Sequence, residues 1–189
     1  MQRIRDLVEA AGGRSLILLS SWRAVERVAE GLGTRTPAGA DLLVQRRGEP
    51  VGPLVTAFAD NETSILVGTM SLFQGVDVPG RACTCVIIDR IPFPRPDDPV
   101  LQARSEQAER QGGNGFMSVS VPRAALLLAQ GAGRLVRSTD DRGVVAVLDA
   151  RLARARYAGY LRDSLPPFWR TTDTEAVLSA LRRLAATPQ

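Results

Sequence analysis

Apolar positions along the chain fall into two alternating kinds of run. Short and nearly continuous ones occupy residues 15–20 (SLILLS), 41–45 (DLLVQ), 64–69 (SILVGT), 84–89 (TCVIID) and 143–148 (GVVAVL). An apolar run without polar alternation is the pattern of a strand buried on both faces. Between these runs, amphipathic stretches predict helices over 2–11, 23–32, 53–59, 100–110, 122–136, 149–162 and 174–186. Pro122 stands where a helix accepts proline in its first turn. Arg182 and Arg183 fall in the last turns of the final helix, where cations suit the helix dipole. Residues 165–170 (LPPFWR) read as extended, a candidate edge strand, and four prolines within 90–99 stiffen a loop there.

Strands alternating with helices predict an α/β fold whose central sheet is mainly parallel and flanked by helices. Functional loops of such a sheet gather at the carboxyl ends of its strands. Those ends carry Ser20-Ser21-Trp22, Thr69 onward, Asp89 onward, and Asp149 to Arg151. No repeat, low-complexity tract or linker divides the chain, so residues 1–189 are expected to form one domain.

Composition narrows the chemistry. All 24 basic residues are arginine and there is no histidine. Without lysine, a Walker A phosphate loop cannot be built. Without histidine, imidazole acid–base catalysis and histidine metal sites are excluded. The net charge of +4 leans toward anionic partners. Arginine-only usage beside abundant Ala, Gly and Val equally suits a GC-rich genome. Cys83 and Cys85, two apart in a predicted strand, point to opposite faces; they cannot bridge each other or make a four-ligand cluster. No apolar run approaches the roughly 18 residues of a membrane span. The start lacks a signal-peptide pattern, and a cytosolic setting is expected.

The densest chemistry lies in Gln130-Gly131-Ala132-Gly133-Arg134-Leu135-Val136-Arg137. On a continuous helix, Gln130, Arg134 and Arg137 fall at i, i+4 and i+7 and share one face. Gly133 would let another backbone or a ligand approach that face. A glutamine and two fixed cations suit a polyphosphate whose charge grows in a transition state.

These residues also carry a resemblance. Residues 68–80 (GTMSLFQGVDVPG), 88–99 (IDRIPFPRPDDP), 130–137, 138–143 (STDDRG), 147–151 (VLDAR) and Leu165-Pro166-Pro167 follow one another in the order and spacing of a known pattern. The chain resembles the C-terminal RecA-like motor lobe of superfamily 2 helicases of the DinG type, relatives of the xeroderma pigmentosum group D helicases. One departure is Gln74, where the family often has Glu; the amide can hydrogen-bond but carries no carboxylate charge.

The resemblance implies a RecA-like three-layer fold and a lobe of an ATP-driven 5′ to 3′ DNA helicase of repair or replication, in a bacterial cytoplasm near the nucleoid. ATP would bind between two lobes. The P-loop lysine, the Mg²⁺ ligands and, in many members, an iron–sulfur cluster belong to the first lobe, so this chain would be one piece of a longer protein. Arg137 resembles an arginine finger, Arg134 a second cation, and Gln130 a residue that positions γ-phosphate or water. Gly75, Asp77 and Gly133 would lie at the nucleotide or the lobe interface. Ser20, Ser21, Trp22, Thr69, Ser71 and Arg95 would contact single-stranded DNA.

Each reading has a structural alternative. The arginines could form a solvated basic face of little energetic value. Asp77 could close a turn. Ser21 could cap the next helix, beside a half-buried Trp22. The proline-rich loop could be a rigid crossover. A non-catalytic nucleic-acid-binding module, a lobe of a helicase-related nuclease and an RNA helicase stay open, since phosphate contacts do not distinguish the sugars.

Overall fold

The computed structural model describes residues 1–33, 35–73, 83–135 and 142–186. In chain order its main elements are α1 (Gln2–Ala10), β1 (Ser15–Leu19), α2 (Trp22–Leu32), β2 (Leu42–Val44), α3 (Val51–Asp60), β3 (Ile65–Thr69) and β4 (Cys85–Ile88). They continue with α4 (Pro99–Arg110), α5 (Val121–Ala132), β5 (Val144–Val147), α6 (Arg151–Arg154), α7 (Ala158–Asp163) and α8 (Thr174–Ala186). Short helical turns at Met70–Phe73 and Phe116–Ser120 follow β3 and precede α5. The five strands form one sheet in the order β2-β3-β1-β4-β5, and every pairing is parallel.

Why the strands are apolar throughout is visible in the layers. Leu16, Leu18, Leu66, Val86 and Ile88 face one way, onto Phe58 of α3, Leu128 of α5 and Leu161 of α7. Ile17, Leu19, Ile65, Val67 and Ile87 face the other way, onto Leu7 and Val8 of α1, Val25 and Val28 of α2, and Leu178 and Leu181 of α8. Helices thus cover both faces, giving the three-layer α/β fold that the strand–helix alternation predicts. Each fully buried Leu, Ile or Phe contributes roughly 1.5–3 kcal/mol relative to its exposed state. Cys83 and Cys85 are buried in opposite layers and unbridged, as expected from their spacing. Burial pushes the Cys83 thiol up to about 12 and raises that of Cys85 as well, so both are inert packing groups.

Three local expectations are corrected. Residues 149–162 are two short helices, because Ala155 is extended (φ −73°, ψ 153°). The break brings Tyr157 edge-on to Phe93 and Phe116, each with ring centroids 5.5 Å away, and this packing outweighs local helix propensity. Residues 165–170 form no strand; Leu165 and Phe168 pack against the core. The helix expected over 122–136 stops at Ala132, with Gly133 as its cap (φ −66°, ψ −9°). Beyond it the chain tightens, the Arg134 N–H reaching Gly131 O at 3.2 Å and the Leu135 N–H reaching Ala132 O at 3.1 Å. Arg134 therefore lies past the end of the helix that carries Gln130. A side chain at Gly133 would first meet Ala129 O, in the preceding turn of its own helix, at 3.2 Å. Within this chain the glycine ends a helix.

Candidate functional site

Register places the functional loops in one row. Leu18 pairs with Ile88, Ile88 with Val147, and Leu19 with Thr69. Gln45, Thr69, Ser20, Asp89 and Asp149 consequently leave the sheet along its carboxyl edge, in that spatial order.

On the β2–β3 side, the buried Gln45 side chain organises two hydroxyls. The Thr69 N–H donates to Gln45 Oε1 at 2.8 Å, and the Thr69 hydroxyl donates to the same oxygen at 3.2 Å. Gln45 Nε2 donates to Ser71 Oγ at 3.2 Å, and the two hydroxyl oxygens lie 2.7 Å apart. Gly68 makes this possible. A Cβ there would stand 2.7 Å from Gln45 Oε1 and 2.2 Å from Leu72 Cδ1. Glycine at this position supplies space, not an unusual φ.

Toward β4 the chemistry reverses. The Ser20 hydroxyl donates to Asp89 Oδ2 at 2.8 Å. Asp89 Oδ1 is buried without a hydrogen-bond partner among the described residues. Ser21 accepts from the Ala24 N–H at 3.2 Å and caps α2, as the structural alternative for it anticipates. Trp22 opens that helix half-buried, with the Arg47 guanidinium 5.5 Å from its ring centre. One face of the indole is thus already covered. An open cleft of about 750 Å³ lies here, lined by Ser20, Ser21, Arg23, Arg27, Asp89, Arg90 and Phe93 among others. Three arginines and one carboxylate make it predominantly cationic.

The proline-rich loop is anchored at its start. Asp149 Oδ2 accepts from the Ile91 N–H at 3.1 Å, while its two oxygens receive the Arg151 Nε at 3.0 and 3.1 Å and Nη2 at 2.7 Å. Burial alone would raise the Asp149 carboxyl, but the Arg151 fork and the backbone donors at Ile91 and Arg151 outweigh it and lower it to about 2. The same pairing raises the Arg151 guanidinium. Arg151 then lies over the Phe93 ring at 5.3 Å, and Phe93 joins Phe116 and Tyr157 in an aromatic cluster. Arg95 is exposed in the turn that precedes α4, whose first N–H groups are capped by Asp98.

The structure brings Ser20, Ser21, Trp22, Thr69 and Ser71 to one edge, with Arg95 on the adjoining loop. Gln130 is exposed on the last turn of α5, and Arg134 is half-buried beyond it. Neither belongs to the described lining of the cleft. Gly75, Asp77 and Arg137 lie outside the described residues, as does Gln74. The sequence pattern does not single out Gln45, and it marks Asp89, Asp149 and Arg151 as strand-end and motif residues without a role. The signal available for Gln45 was a polar residue closing an apolar strand at its carboxyl end, where burial demands that an amide be fully bonded. Among the described residues, no group of three Cys, Asp or Glu side chains could hold a metal ion, and no helix is long and apolar enough to cross a membrane.

Residues 4–168 match the family model described as the helicase C-terminal domain. The chain is 52% identical over 187 residues to the ATP-dependent helicase DinG of Mycobacterium tuberculosis, covering 98% of this chain and 27% of that protein. It is 40% identical to the ATP-dependent DNA helicase YoaA of Escherichia coli, over 96% of this chain and 28% of the relative. It is 38% identical to a Bacillus subtilis protein named 3′-5′ exonuclease DinG, over 87% of this chain and 18% of the relative. The chain thus spans about a quarter of the length of the first two relatives. A solved XPD helicase shares the fold, with a TM-score of 0.58 and 20% identity, over 86% of this chain and 29% of that one. By its sequence and its three-layer parallel sheet, the chain belongs to the helicase C-terminal domain family.

Proposed function

We propose that residues 1–189 form the second motor lobe of an ATP-dependent 5′ to 3′ DNA helicase acting in repair or replication, in the bacterial cytoplasm at the nucleoid. The observation that carries this reading is the arginine-lined cleft beside polar loop ends, along one edge of a parallel sheet in a helicase C-terminal domain. Cations and loop-borne donors at strand ends suit a polyanionic strand.

In this reading ATP bridges the chain to an N-terminal RecA-like lobe of the same protein. Arg137 and Arg134 stabilise charge on the γ-phosphate, and Gln130 orients that phosphate or the attacking water. Asp77, Gly75 and Gly133 lie at the nucleotide or the lobe interface. Thr69, Ser71, Ser21, Trp22 and Arg95 follow a single DNA strand, and loss of the γ-phosphate reopens the lobes and moves those contacts. The described residues offer no carboxylate cluster for Mg²⁺. The two cysteines, buried in opposite layers, do not fit an iron–sulfur cluster. Both groups, where present, belong to the other lobe. One relative's name favours a nuclease activity in the longer protein, and that chemistry would also lie outside these residues.

The test is single-strand-stimulated ATP turnover by the longer protein and its Arg137→Ala variant, with nucleotide binding as control. Turnover should fall by roughly 10³–10⁵ while ATP still binds. Unchanged turnover would sink the finger assignment and favour a non-catalytic binding module.

A further inference from the structure

We propose that Gln45 is a positioning residue that sets the proton direction at the β3 loop, so that Ser71 presents an O–H donor outward and Thr69 does not. The proposal rests on the reading above, in which Thr69 and Ser71 face the phosphates of a single strand. The starting point is a backbone group that cannot reverse. The Thr69 N–H is an obligate donor 2.8 Å from the Gln45 amide, so the atom facing it is the amide oxygen. Gln45 Nε2 must then face Ser71, 3.2 Å away, and it can only donate. Burial of Gln45, 7% exposed, denies the amide the freedom to turn over in water.

Two hydroxyl protons remain to be placed. Thr69 Oγ1 stands 3.2 Å from Gln45 Oε1 and 2.7 Å from Ser71 Oγ, and its proton goes to one of these two oxygens, inside the cluster. Ser71 Oγ already accepts from Nε2, so its own proton points either to Thr69 Oγ1 at 2.7 Å or away from the protein. Ser71 is exposed and Thr69 is half-buried. When the Thr69 hydroxyl donates to Ser71, Ser71 Oγ accepts from both neighbours and its own O–H is left for an arriving phosphate oxygen, further polarised by the amide behind it. Gln45 touches no nucleic acid in this scheme; it decides which hydroxyl does.

The experiment measures binding of a labelled oligodeoxythymidylate strand to the chain by fluorescence anisotropy, at low salt. Ser71→Ala should weaken binding on the order of tenfold, the loss of one hydrogen bond to a charged acceptor. Thr69→Val keeps the backbone N–H and the amide orientation, and should weaken binding clearly less than Ser71→Ala. Gln45→Glu replaces the Nε2 donor with an acceptor that captures the Ser71 proton. Its binding should fall at least as far as that of Ser71→Ala at neutral pH and recover as acid protonates the introduced carboxylate, against a wild-type profile without that recovery. A mere packing role for residue 45 would not produce such a pH profile. Equal losses for Thr69→Val and Ser71→Ala, or wild-type binding by Gln45→Glu, would overturn the proposal and leave the DNA-contact reading intact. No loss from either hydroxyl variant would overturn that reading and the proposal with it. Circular dichroism reports whether Gln45→Glu folds; if it does not, the Thr69 and Ser71 asymmetry alone decides.

Discussion

Two hydroxyl sites sit on the same sheet edge, one strand apart, and they carry opposite chemistry. Ser20 gives its proton to a carboxylate, so what it turns outward is an acceptor beside negative charge. Ser71 accepts a hydrogen bond from an amide, so on the proposal above what it turns outward is a donor. Both are exposed serines at the carboxyl end of a parallel sheet, and from composition they are indistinguishable. The partner behind each, Asp89 or Gln45, separates them. On the proposed reading, a phosphate would be favoured at Ser71 more than at Ser20, where Arg23, Arg27 and Arg90 of the cleft would offset Asp89.

The sharpest way to break this contrast is Gly68→Ala. Its Cβ would stand 2.2 Å from Leu72 and 2.7 Å from Gln45 Oε1, unseating the donor site and leaving Ser20–Asp89 alone. Overpacking of this kind should cost about 1–3 kcal/mol in a denaturant titration, and strand binding should fall at least as far as for Ser71→Ala. Next is Asp149→Asn, which loosens the Ile91 anchor beside the acceptor site. The Asp149 carboxyl is lowered from 3.8 to about 2 by folding. Its contribution is therefore present above the unfolded value and lost as pH falls toward the folded one. After discounting for the exposed guanidinium, about 1–2 kcal/mol should disappear in the variant at neutral pH. The wild-type advantage should shrink between about pH 4 and 2 in thermal melts taken across that range.

A smaller and opposite effect is expected for Asp89→Asn. Removing the carboxylate from a cleft of three arginines should tighten strand binding roughly two- to fivefold at low salt, with the gain fading as salt rises. Weaker binding would mean that Asp89 receives a donor from the strand. Smallest is Ser20→Ala, expected to stay within about twofold in the same anisotropy assay. A loss there matching that of Ser71→Ala would erase the distinction between the two sites.

The sheet was legible in the sequence because doubly buried strands leave an uninterrupted apolar signature, as at residues 15–20 and 64–69. What was not legible came from contacts distant in sequence. Tyr157 breaks a run of good helix formers because Phe93 and Phe116 await it. The spacing of Gln130 and Arg134 suggested a shared face, but spacing carries no notice of where a helix ends, and Gly133 ends it. The loop residues at strand ends were legible as a group, because a parallel sheet has one functional edge. Their individual roles were not, since the sign of Ser20 depends on Asp89, 69 positions away, and that of Ser71 on Gln45, 26 positions away.

The place of β3 has a mechanical corollary. It is an interior strand, laddered to β1 over residues 65–69 and to β2 over 65–67, and Ser71 lies two residues past its end. A pull on Ser71 along the strand runs down the β3 axis. It loads the hydrogen bonds of both ladders together, in shear, and does not peel them one after another. Force entering at that hydroxyl would be shared by the sheet as a single stiff plate, a suitable attachment point for a cable under tension.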